Sequence, residues 1–195
     1  MSAGSRSPPH FGVAMRKSIR NTLVALAIVA GGVTWVANSY PPTVPVAKAL
    51  VWGLGGNYLG RAGVTLQQGK SDCGVAALAM LLGAHGRPAK LAEETRSVLG
   101  RDRGLTLLEM RDIAERHGLE ASGWKVDTAR LNDLPLPAVA HFADHYVVVD
   151  QIAEDGTVRV RDPALGRASY PRDRFTEMWT GNVLVIGPAA ELHAP

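Results

Sequence analysis

The sequence predicts an α+β domain in which N-terminal helices pack on an antiparallel sheet. Three observations lead there. Apolar residues recur at helical spacing up to Gly118, short strand-length apolar runs follow it, and Asp155-Gly156 is a hairpin signal between two of those runs. The 195 residues are 46% apolar, enough for one packed domain and hardly for two.

Each element has its own reason. Residues 64–67 read as a short extended piece. Asp72 is a good N-cap for a helix from Cys73 to about Leu82. That helix is apolar all round, so it is expected to be buried on every side, with Gly83 and Gly86 ending it. Residues 91–99 and 105–117 read as amphipathic helices, the second capped by Thr106 or Gly104 and stopped by Gly118. After Gly118 the period changes. Residues 119–126, 138–141, 145–152, 157–161, 168–170 and 183–186 read as strands, with a short helical or turn segment at 127–134.

The N-terminus has a different character. Residues 1–21 form a basic tail, and 22–40 an apolar run centred on Leu23 to Ala37 with Trp35 and Tyr40 as interface aromatics. This run predicts either an uncleaved signal anchor or a signal peptide cut after Ser39. The basic side then stays inside, and the expected location is a bacterial inner membrane with the folded domain facing the periplasm or exterior. Pro41, Pro42 and Pro45 make residues 41–60 a Pro/Gly-rich linker. The folded domain is expected at 61–188, followed by a tail at 189–195.

The formal charge is +3, yet residues 1–39 hold four basic groups (Arg6, Arg16, Lys17 and Arg20) and no acid. The remainder carries 17 basic and 18 acidic side chains. The excess therefore belongs to the tail, and nucleic acid is excluded as an expected partner.

The chain has one cysteine, which forbids an internal disulfide and leaves no thiol set for zinc. It stands in Gln67-Gln68-Gly69-Lys70-Ser71-Asp72-Cys73-Gly74, at the first turn of the buried helix. There the unpaired backbone N–H groups and the helix dipole favour negative charge, the setting in which a thiol serves as a nucleophile. Gly74 keeps bulk away from an approaching carbonyl. Gln67, six residues earlier, can fold back and offer its amide to an oxyanion.

A thiol nucleophile needs a base, and the base an orienting group. Of six histidines, His10, His85, His117 and His193 lie in tails or beside helix-ending glycines, leaving His141 and His145. A four-residue loop at 153–156 would put Ile152 opposite Thr157 and Val147 opposite Asp162. His145 is then the diagonal neighbour of Asp162, roughly 7 Å away between Cβ atoms. A tighter turn keeps the face but separates the pair further. His145 also opens the apolar run Tyr146-Val147-Val148-Val149, and Ala143-Asp144 breaks the strand before it.

Together these residues resemble a known family. Gln67-x5-Cys73-Gly74-x-Ala76-x-Leu78-x-Met80-Leu81, Gly104-Leu105-Thr106, His145-Tyr146-Val147-Val148-Val149 and Asp162-Pro163-Ala164-x-Gly166 occur in the order found in C39 double-glycine peptidases. Phe175 and Trp179-Thr180-Gly181 fit the same pattern. The resemblance implies a papain-like fold, with Cys73 as nucleophile, His145 as base, Asp162 as its orienter and Gln67 as oxyanion donor. It implies cleavage of a leader peptide, held partly as an amphipathic helix, after a Gly-Gly or Gly-Ala pair, with no cofactor. The expected partners are an exported precursor peptide or protein, the membrane through the N-terminal segment, and a separate export system, since no exporter follows in this chain. Alternatives are a leader-binding domain that does not cleave, and a papain-like amidase or acyl transferase.

Overall fold

The computed structural model describes residues 41–99, 101 and 103–187. The residues on which the anchor or signal-peptide reading rests, 22–40, lie outside them. Among the described residues no helix is long and apolar enough to cross a membrane. Even the 12-residue helix that begins at Cys73 is about 18 Å long, against a hydrocarbon core of about 30 Å. The expected inner-membrane location is corrected accordingly: no described element supplies a span.

The element order is α1 (Val44–Gly53), β1 (Asn57–Gly60), α2 (Cys73–Ala84), α3 (Ala92–Leu99), α4 (Leu107–Arg116), β2 (Ala121–Lys125), a 3-10 turn (Thr128–Asp133), β3 (Ala138–Phe142), β4 (His145–Ile152), β5 (Val158–Asp162), β6 (Gly166–Tyr170), α5 (Arg172–Met178) and β7 (Asn182–Ile186). The seven strands form one antiparallel sheet in the order β1-β6-β5-β4-β3-β7-β2.

Both faces of the sheet are covered, which explains why β4 is apolar without alternation. Tyr146 and Val148 face one core with Leu78, Leu81, Leu82 and Met110. Val147 and Val149 face the other, with Val51, Leu131, Phe175 and Trp179. Helix α2 is buried almost throughout, as its composition requires. Helix α4 opens on a capping box: the Glu109 N–H donates to Thr106 Oγ1, and Glu109 in turn accepts from the Thr106 N–H. Its buried face, Met110, Ile113 and Ala114, has the i, i+3, i+4 spacing of an amphipathic helix.

Residues 41–60 depart from the linker expected of them. They form α1, which buries Ala47 and Val51, and β1, which adds an edge strand beside β6. Pro45 sits at the first helical turn, where its missing N–H costs nothing, so the prolines start a helix rather than a spacer. Helix α5 was likewise not expected, being only seven residues long with a single fully buried residue, Phe175.

Candidate active site

Helix α2 begins at Cys73, so the thiol stands among N–H groups that have no partner within the helix. Asp72 precedes it, but its side chain makes no cap. Its two carboxylate oxygens accept instead from the Gln68 and Gly69 N–H groups, at 2.8 and 2.9 Å. The carboxylate is thereby used up in folding the 67–72 loop over the helix start, and the helix N–H groups stay free for a ligand. Gly74 also has a different role from the one expected. A Cβ there would meet Met110 Cε at 2.9 Å and the Tyr146 ring at 3.3 Å, so the glycine lets α2 pack on α4 and β4.

His145 is the first residue of β4 and Asp162 the last of β5. His145 Nε2 lies 2.8 Å from Asp162 Oδ1, and Cys73 also acts on the imidazole, raising its pKa. With Nε2 turned to the carboxylate, Nδ1 is the nitrogen left for sulfur. The same Asp162 oxygen accepts from the Ala164 and Leu165 N–H groups at 2.7 and 3.2 Å, which pins it in the turn after β5. Burial pulls the imidazole's pKa down, but the Asp162 carboxylate, helped by Cys73, outweighs this and raises it to about 10. The group is thus held as imidazolium at neutral pH.

Gln67 is 2% exposed, and its own N–H donates to the Pro163 carbonyl at 2.9 Å, tying it to the Asp162 turn. Its Nε2 donates to the Gly69 carbonyl at 2.6 Å. An amide nitrogen carries two N–H bonds, so one remains. The neighbouring Gln68 is exposed, with its backbone N–H on Asp72.

The two candidate histidines are separated by the hairpin. Ala143 turns the chain with φ 42°, His141 pairs across the ladder with Tyr146, and so His141 and His145 lie on opposite faces of the sheet. His141 is engaged elsewhere: its Nδ1 is 3.1 Å from Thr180 Oγ1, and its ring lies 4.7 Å from that of Tyr146. Burial lowers its pKa.

Two pockets flank the Cys73–His145 pair. One, of about 430 Å³, is lined by Cys73, Leu105, Thr106, His141 and Tyr146. The other, of about 310 Å³, is lined by Gln67, His145 and Asp162 together with apolar side chains. Lys70 and Asp144 stand at the edge of both.

Residues 61–191 match the Peptidase C39 family. This chain belongs to the peptidase C39 family. Membership places it among the cysteine peptidases. The chain is 32% identical over 136 residues to the lactococcin-G-processing and transport ATP-binding protein LagD of Lactococcus lactis, covering 66% of this chain and 19% of that one. It is also 32% identical over 135 residues to the probable functional amyloid protease FapD of Pseudomonas aeruginosa, over 62% of this chain and 59% of that one. An uncharacterized protein from Methanothermobacter marburgensis, 34% identical over 136 residues, is matched over 92% of its length. The first of these relatives is thus matched over about a fifth of its length only.

Among solved structures, a double glycine motif protease from an AMS/PCAT transporter, in complex with its leader peptide, superposes with a TM-score of 0.56 at 29% identity. That match covers 67% of this chain and 95% of the other. The peptidase domain of Streptococcus ComA gives 0.56 at 25% identity, over 64% and 97%. The helices-on-sheet architecture is that of these C39 peptidase domains.

The C39 motifs pointed to Cys73, His145, Asp162 and Gln67, of which the last three line one pocket and Cys73 the other. They did not reveal Leu54, which reaches the His145 side of the site from the segment read as a linker. Tyr146 stands in one of those motifs, where the sequence marks it only as core, yet it lines the Cys73 pocket. A pair of pocket walls drawn from α1 and from β4 has no common sequence signal.

Proposed function

We propose that this C39 peptidase cleaves leader peptides from exported precursors after a Gly-Gly or Gly-Ala pair. The observation that carries the reading is the 2.8 Å His145–Asp162 hydrogen bond, on an imidazole whose pKa is also raised by Cys73 at the start of a buried helix. In this reading the Cys73 thiolate attacks the scissile carbonyl, forming a C–S bond. The oxyanion is met by the Cys73 N–H and by the second N–H of the Gln67 amide. The His145 imidazolium gives its proton to the leaving nitrogen as the C–N bond breaks. Water then attacks the thioester with His145 as base, and the C–S bond breaks to release the leader acid and restore the Cys73 thiolate and the imidazolium. Asp162 keeps the imidazole turned to sulfur throughout.

The small residues before the cut are supported by the family match over residues 61–191. The natural substrate in this reading is a precursor handled by an export system, a reading supported by the processing and transport relatives.

The test is incubation of the purified chain with a precursor carrying a Gly-Gly leader, the cut being located by mass spectrometry. Wild-type protein is expected to cut after the second glycine. Cys73→Ala is expected to be inactive with an unchanged far-UV CD spectrum, since a small side chain replaces a small one at a helix start. Full activity in Cys73→Ala would overturn the reading, and efficient cutting after bulky residues would replace it with a general peptidase.

A further inference from the structure

We infer that the 310 Å³ pocket beside His145 is the subsite for the first residue after the cut, that it selects an apolar side chain, and that Leu54 sets this preference. The inference rests on the peptidase reading above and deepens it. In acyl transfer to a thiol, the acyl carbon remains on Cys73, while the leaving nitrogen takes its proton from the imidazole. The segment before the cut therefore lies on the sulfur side, and the departing segment passes the imidazole. One pocket has Cys73 in its wall without His145, and the other has His145 and Asp162 without Cys73. The second is the leaving-group side.

Away from the catalytic groups its wall is lined by apolar side chains, Leu54, Phe142, Ala164, Leu165, Tyr170 and Met178. The two free charges at its edge, Lys70 and Asp144, are of opposite sign and are shared with the other pocket, so neither sign of substrate charge gains there. Its size suits one Leu- or Phe-sized side chain. Leu165 and Tyr170 are buried behind the surface, whereas Leu54 is 39% exposed and free to meet a ligand.

Leu54 is held in place by its surroundings. It is the C-cap of α1, and its carbonyl accepts from Arg174 Nε at 3.4 Å. Two residues on, Gly56 lies so close to β6 that a Cβ would come within 2.4 Å of the Tyr170 ring. β1 then pairs Asn57 with Ser169. This segment precedes the residues matched to the family, so the subsite wall is built partly from outside the matched region.

The experiment uses the full chain and peptides with Gly-Gly before the cut and Leu, Phe, Gly, Lys or Asp after it, read as kcat/KM. Wild type is expected to favour Leu and Phe over Asp by about tenfold or more. Leu54→Asp should collapse that ratio and move the preference toward Lys. Leu54→Ala, at a position half open to solvent, should reduce the ratio with an unchanged melting temperature, and it decides the matter if Leu54→Asp does not fold. A flat wild-type profile, or the same profile in the Leu54 variants, overturns the subsite while the peptidase reading stands. Failure to cut any of the peptides overturns both.

Discussion

Asp150 grips Arg161 through Nε and Nη2 contacts of 2.7–2.9 Å, at the irregularity between β4 and β5. The ladder near the turn pairs Ile152 with Val158 and Gln151 with Arg159. Beyond Asp150 it pairs Val149 with Val160 and Val148 with Arg161. One extra residue in β4 has shifted the register by one, and a shift of one reverses the face on which every later side chain stands. Continued by one step, the shifted ladder sets Val147 against position 162, so Asp162 falls on the face of His145. Had the turn register continued, the carboxylate would point to the other face.

Asp150→Ala should therefore cost more than a surface ion pair. Arg161 is only 15% exposed in its side chain, and losing its partner is expected to lower stability by about 1–2 kcal/mol. Turnover should fall severalfold, because the residue left without its anchor adjoins Asp162. Urea unfolding and single-turnover rates measure the two effects, and an activity equal to wild type would show that the bulge holds its register without the ion pair.

The raised pKa of His145 has a definite sign. A histidine whose pKa rises on folding adds stability that is complete below its unfolded value near 6.5 and is lost as pH climbs through about 10. Stability should therefore decline between roughly pH 7 and 10 in wild type. The alkaline limb of the rate profile should lie near pH 10, and Asp162→Asn should move it toward neutrality and flatten the stability decline. Coincident profiles for the two proteins would contradict the role given to Asp162.

His145→Ala is expected to lower turnover by about 10⁴-fold or more, as removal of a triad base does. His141→Ala should be much milder, because that ring is bonded to Thr180 and packs against Tyr146 on the face of the sheet opposite His145. Single-turnover rates on one Gly-Gly peptide compare them. An inactive His141 variant beside an active His145 variant would reverse the assignment.

Gln67→Ala should reduce turnover by about 10²-fold, the usual cost of one oxyanion donor. Gln67→Glu should be at least as slow, since it keeps the shape and removes the donor. Gln68→Ala should be near wild type, its side chain being exposed. A slow Gln68 variant beside a normal Gln67 variant, in kcat rather than KM, would move the role by one residue.

The sequence by itself determined the fold class, the buried helix behind Cys73, the strand containing His145 and the turn after Asp162. These are local properties: an all-apolar run reads as a buried helix, and apolar runs bounded by turn residues read as strands. It also carried the C39 resemblance, because the residues of that pattern sit at spacings set by single elements. The tertiary structure decided what depends on pairing between distant segments. Whether residues 41–60 were spacer or structure turned on β6 offering an open edge to β1 and on a core able to take Val51. Which face Asp162 occupies turned on an extra residue in β4, since the expected turn register fails near the loop and is recovered only past the bulge. Which wall Leu54 joins turned on Gly56 fitting against Tyr170. No composition or period encodes these outcomes, because each is a property of two surfaces meeting rather than of one stretch of chain.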